Sequence, residues 1–164
     1  MGSENARMVV ATFMDFQCPF CRDLVPVLDL LRSEYGSQIT VEFHHFPLPG
    51  HRHALKAAMV AECADRQGKF EEMYYTLFQQ MDSLGTKTWT ALASEAGIPD
   101  LAVFNACQML PRSEFPRIDA GRELGLSIGV EGTPRIWVNG SLMSSPTLEA
   151  FKKRARALRL SRLQ

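Results

Sequence analysis

The first readable pattern is a run of apolar and β-branched residues, Met8 to Met14 (MVVATFM), which predicts a buried strand. Further on, Leu24, Val25, Val27, Leu28 and Leu31 recur at helical spacing up to Gly36, which predicts a helix kinked by Pro26. Ile39 to Phe46 alternates, with Ile39, Val41 and Phe43 on one face, as a second strand does. A long region of helical character follows. Its segments are His53 to Gln67, Phe70 to Met81, Trp89 to Ala96, Leu101 to Leu110, and Ser113 to Leu124 ending near Gly125. Strand character returns at Arg135 to Val138, and Asn139-Gly140 before Ser141-Leu142-Met143 predicts a tight hairpin. Thr147 to Leu160 closes the chain as an amphipathic helix with Leu148, Phe151, Ala155 and Leu158 inward. The order β-α-β, helices, β-β-α makes this an α/β chain without repeats or low-complexity segments.

Composition narrows this picture in three ways. The chain has 164 residues and 46% hydrophobic content, enough for one domain or one with an insertion and too apolar for disorder. No run of about 18 apolar residues is present, so no helix is predicted to cross a membrane. Met1-Gly2-Ser3 reads as an expression remnant outside the fold, with no signal peptide before the first strand and a natural leader or anchor expected to be missing. The 18 basic and 18 acidic residues balance, but Ala150 to Gln164 holds six basic residues and no acidic one, leaving 12 basic against 18 acidic in the rest. With no aromatic residues among those charges, the tail is expected to be a solvated helix face and not a nucleic-acid surface.

The candidate chemistry lies where the first strand meets the first helix. Asp15 to Arg22 reads DFQCPFCR, with Cys18 and Cys21 two residues apart. A tetrahedral metal site needs a second close pair of ligands. Cys63 and Cys107 stand 44 residues apart on separate helices. His44 and His45 are adjacent on a strand, and His51 and His53 do not share a helical face. No metal is therefore expected. A redox pair fits better. At the helix N-terminus the free N–H groups and the helix dipole stabilise a Cys18 thiolate, and Pro19 suits the first helical position. One turn on, Cys21 is within bonding reach as the resolving thiol, with Cys18 the exposed nucleophile. A purely structural bridge across so short a loop constrains the unfolded chain little.

Asp15-Phe16-Gln17-Cys18-Pro19-Phe20-Cys21 resembles the active-site segment of the DsbA-like thiol:disulfide oxidoreductases. Further segments agree in order: Phe46-Pro47-Leu48-Pro49 with His53-Ala54 and Ala57-Ala58, Gln67-Gly68-Lys69-Phe70 before Tyr74, and Gly132-Thr133-Pro134 before Val138-Asn139-Gly140. The resemblance implies a thioredoxin-like domain of residues 7–50 and 128–164, interrupted by a helical domain over 51–127. It implies a cis-proline at Pro134, beside the cysteines, with Thr133 offering an edge to an extended substrate peptide. It also implies an extracytoplasmic monomer, periplasmic or membrane-anchored. That monomer oxidises reduced, unfolded proteins and is itself reoxidised by a membrane quinone-linked thiol oxidase, needing no cofactor beyond the Cys18–Cys21 disulfide. A reductase, an isomerase or a peptide-binding chaperone without turnover are the alternatives.

Two departures from the family pattern bear on the chemistry. Phe20 stands between the cysteines in place of histidine, so the pair is expected to be less oxidising. Thr12 stands where the family often has a buried carboxylate, and Asp15 is expected to be too exposed to replace it. Cys63 and Cys107 are expected to point inward, either as a second disulfide, as in some family members, or as two buried thiols; an oxidising compartment favours the bond. His53 is expected to be a surface residue at a helix start.

Overall fold

The computed structural model describes residues 1–3 and 5–163, so Gln164, the end of the expected second segment, lies outside the described residues. β1 (Met8–Met14) leads to α1 (Pro19–Tyr35) and β2 (Ile39–His45). Five helices follow: α2 (Ala54–Asp65), α3 (Phe70–Gln79), α4 (Trp89–Glu95), α5 (Leu101–Gln108) and α6 (Pro116–Ser127). β3 (Arg135–Val138), β4 (Ser141–Leu142) and α7 (Leu148–Ala157) complete the chain. The sheet order is β2-β1-β3-β4. β1 runs parallel to β2 and antiparallel to β3. Helix ends fall within a few residues of the sequence expectation, because terminal turns relax into short 3-10 segments such as Met81–Ser83 and Arg112–Glu114.

The register explains why β1 carries so few polar residues. Met8, Val10, Thr12 and Met14 sit opposite Ile39, Val41, Phe43 and His45 on one sheet face, where Ile136 and Val138 of β3 join them. That face packs against the apolar stripe of α1, in which Leu24, Leu28, Leu31 and Tyr35 are buried. α1 continues through Pro26 and ends where Gly36 takes a positive φ of 54°. Phe13 points to the other face and packs with Phe46, Val130 and Trp137. Asn139 and Gly140 take φ values of 47° and 76° between β3 and β4, as a primed hairpin turn requires.

Two expectations are corrected, at the N-terminus and at the basic tail. α6 ends at Ser127, two residues past Gly125 and close to the expected end. A Cβ at Gly125 would stand 2.7 Å from the Phe46 ring, and one at Gly121 would stand 2.7 Å from the His45 carbonyl oxygen. These glycines let the helix backbone lie against the sheet. Met1 to Ser3 are not outside the fold: Met1 exchanges backbone hydrogen bonds with Val41, and the Thr40 hydroxyl donates to the Ser3 carbonyl. The open edge of β2 offers unpaired backbone groups that this segment satisfies. The basic tail is also not wholly solvated, since Lys152 (2.7 Å) and Arg162 (3.5 Å) reach Glu34 of α1.

Candidate active site

Cys18 is the N-cap of α1, with Pro19 in the first turn. Its N–H donates to the Asp15 carbonyl at 3.1 Å, and its carbonyl accepts from Cys21 and Arg22. The strand-to-helix bend thus fixes both cysteines within one turn. Cys21 is fully buried and Cys18 is only 3% exposed, which corrects the expectation of an exposed nucleophile. The reason is tertiary: the Thr133–Pro134 segment, whose peptide bond is cis, lies over the helix start. The Cys18 thiol donates to the Thr133 carbonyl at 3.3 Å across 115 residues of sequence. Phe20 turns outward and is 71% exposed.

The two thiols are electrostatically unequal. Cys18 is lowered from 9.0 to about 6. The main cause is a hydrogen bond from the Cys21 side chain; burial opposes it, and the Thr133 side chain and the Cys21 and Phe20 backbones reinforce it. Cys21 is pushed strongly upward, first by burial and then by its bond to Cys18. The Thr133 hydroxyl is buried and has no hydrogen-bond partner among the described residues, so it is free to turn to the sulfur once Cys18 loses its proton. In such an asymmetric pair one sulfur gives up its proton far more readily than the other.

Thr12 is fully buried, and its hydroxyl donates to the Glu42 carbonyl on β2 at 2.9 Å, so it serves the sheet. Asp15 overturns the expectation of exposure, being 2% exposed. Its carboxylate accepts the N–H groups of Gln17 (2.7 Å) and Leu48 (2.8 Å) and bonds His51 Nδ1 at 2.7 Å. Its own N–H donates to Cys21 Sγ at 3.5 Å. His51 is a site residue that sequence reasoning missed: it lies 36 residues from Asp15, and no local spacing joins them. His53 touches this region through its backbone, donating to the Gln17 side chain at 2.7 Å.

Cys63 of α2 and Cys107 of α5 form a disulfide, with Cα atoms 5.8 Å apart, and Cys18 and Cys21 are separate thiols. Among the described residues, no group of three or more His, Cys, Asp or Glu side chains is arranged to hold a metal ion. Among them also, no helix is long and apolar enough to cross a membrane.

Comparison with known proteins fits this geometry. The chain is similar in structure to α-DsbA1 of Wolbachia pipientis (TM-score 0.78, 21% identity, 96% of this chain and 88% of that one). It also resembles a periplasmic thioredoxin-like protein of Salmonella enterica serovar Typhimurium (TM-score 0.76, 23% identity, 96% and 88%). In sequence it is 31% identical over 147 residues to Na(+)/H(+) antiporter NhaA 1 of Mycolicibacterium vanbaalenii, covering 88% of this chain but 24% of that protein. The chain thus spans about a quarter of the curated relatives it matches, and their transport activity is a property of those longer proteins. The family model described as thioredoxin matches residues 1–155. The chain therefore belongs to the thioredoxin family, and it has the fold of the DsbA-like thiol-disulfide oxidoreductases.

Proposed function

We propose that the chain is a protein thiol:disulfide oxidoreductase that introduces disulfides into reduced, unfolded proteins outside the cytoplasm through Cys18 and Cys21. The observation that carries this reading is the placement of the two thiols, Cys18 at the start of α1 against the Thr133 carbonyl beside the cis bond to Pro134, and Cys21 one turn on and fully buried. The lowered Cys18 and raised Cys21 thiols agree with it. In the oxidised enzyme a substrate thiolate attacks Cys18 Sγ. The Cys18–Cys21 bond breaks, its electron pair goes to Cys21 Sγ, and that sulfur takes up a proton. A second substrate thiolate then attacks the substrate sulfur of the mixed disulfide and releases Cys18 as thiolate. A stabilised leaving thiolate favours the reduced enzyme and therefore oxidation of the substrate. The exposed Phe20 ring and the Thr133 backbone beside Cys18 suit an extended peptide with apolar side chains. A membrane quinone-linked thiol oxidase would return the pair to the disulfide, and the enzyme would work as a monomer on either side of that exchange.

The test is the equilibrium of the Cys18–Cys21 pair with glutathione. An oxidase is expected to be well above the value of about −270 mV typical of thioredoxin. A potential at or below that value would make the chain a reductase.

Thr133→Val removes the hydroxyl but keeps the shape. It is expected to raise the Cys18 thiol by roughly one pH unit, about the worth of one hydrogen bond to a charged group. The thiolate absorbance followed against pH measures it. An unmoved titration would remove the hydroxyl from the site.

A further inference from the structure

We propose that His51 is a positioning residue for exchange at Cys18–Cys21, acting through Asp15. This rests on the exchange reading above. Asp15 touches both cysteines through its main chain: its carbonyl accepts the Cys18 N–H, and its N–H donates to Cys21 Sγ. Any turn of the Asp15 peptide therefore moves a donor at one sulfur and the cap beside the other. Yet Asp15 lies just beyond β1, outside the strand ladder that ends at Met14. What holds it is its side chain. Two of the carboxylate's partners are backbone N–H groups, and His51 is the one side chain bonded to it among the described residues.

A buried carboxylate keeps its place only while its hydrogen bonds are made. The side chain of Asp15 is fully buried and that of His51 is 28% exposed. Without the imidazole, Oδ2 would keep only the Leu48 N–H and would turn toward solvent, carrying the Asp15 peptide with it. Removing the imidazole would open a way to solvent, since His51 lines a cavity of about 430 Å³ shared with Arg52, Arg112 and Arg122. Arg112 is itself paired with Asp119. His51 is in turn fixed by its own segment, since its N–H donates to the Leu48 carbonyl at 3.0 Å and its carbonyl accepts from Ala54 at 3.1 Å. The chain 47–53 thus acts as a brace between the end of β2 and the redox bend.

The affected step is the attack of Cys21 on a mixed disulfide. Cys21 gives its proton to a solvent base, and its electron pair forms the bond to Cys18 Sγ. The bond from Cys18 to the partner sulfur breaks, and that sulfur leaves as a thiolate and is protonated. Charge develops on Cys21 Sγ in this step, and the Asp15 N–H is the backbone donor aimed at it.

The experiment uses the chain carrying glutathione on Cys18, formed from the reduced protein and glutathione disulfide, and times the release of glutathione by Cys21. His51→Ala is expected to slow release by about tenfold, the loss of one hydrogen bond to a charged group. His51→Asn places an amide N–H where Nδ1 stood and does not titrate, so it should remain within about twofold of the natural chain. Equal rates for Ala and the natural chain, or an Asn variant as slow as Ala, would overturn the proposal. Should the Ala variant fail to fold, His51→Gln, whose amide is displaced by one methylene, is expected to be slower than Asn, and equal rates for these two would overturn it. A natural chain that shows no reversible Cys18–Cys21 oxidation is a separate result, which removes the exchange reading itself.

Discussion

Alkylation of the reduced protein is expected to modify Cys18 with a midpoint at about pH 6 and to leave Cys21 unmodified. At neutral pH Cys18 is roughly nine-tenths thiolate, against roughly one-hundredth for a thiol titrating at its ordinary value. A thiolate of lower pKa is also a weaker nucleophile, with a Brønsted slope of about 0.4–0.5. The two effects combine to a gain of about fourfold at pH 7 and about twentyfold at pH 6 over an equally covered thiol of ordinary pKa. Cys21 has neither access nor charge, so the contrast between the two residues is far larger. The measurement is mass mapping of the adduct against pH, with Cys18→Ser as the blank. Preferential labelling of Cys21, or a midpoint near the ordinary thiol value, would reverse the assigned roles. The same shifts predict how stability follows pH. Between about 6 and 9.0 the unfolded chain holds the Cys18 proton more tightly than the folded one, so the reduced protein gains stability as pH rises. That contribution is lost as pH falls through about 6. Above 9.0 the raised Cys21 thiol acts the other way, and stability falls. The oxidised protein, with neither thiol, should show neither limb.

Removing the Cys63–Cys107 disulfide should cost more stability than losing any single hydrogen bond at the bend that holds Cys18 and Cys21. Cys63 and Cys107 close a loop of sequence separation 44. In the chain-entropy model a loop of this size restricts the unfolded state by about 4 kcal/mol. A domain has only about 5–15 kcal/mol in all. The double variant Cys63→Ala/Cys107→Ala is the right comparison, because a single variant leaves an unpaired thiol between α2 and α5. Its denaturant midpoint should fall to near that of the natural chain unfolded under reducing conditions. The Cys18 titration should not move, since the causes that lower it are Cys21, Thr133 and Phe20. A loss below about 1 kcal/mol would mean that the unfolded chain is already compact around these helices.

The elements that sequence made legible are those whose cause lies within a few neighbouring residues. The β-branched run of β1, the apolar stripe of α1, the proline after Cys18 and the Asn139-Gly140 turn each act through backbone preference or short-period burial. All four stand where the pattern puts them. The pairing of Cys18 with Cys21 is equally local, because one helical turn sets it. The rest depended on contacts between distant segments. Whether Cys18 is open or covered was decided by Thr133, which arrives from beyond six helices. How closely α6 lies over Phe46 and Phe13 at Gly125 was likewise decided by the fold. Asp15 looked exposed because a carboxylate in a bend usually is. It is buried because Leu48 and His51 return to it with donors, and a buried charge is tolerated only where such donors meet it. Sequence alone thus determined the strand-helix frame and the cysteine pair at its junction. The tertiary structure decided which groups surround that pair, because the free energy of a buried charge or thiol depends on partners that only the folded chain brings together.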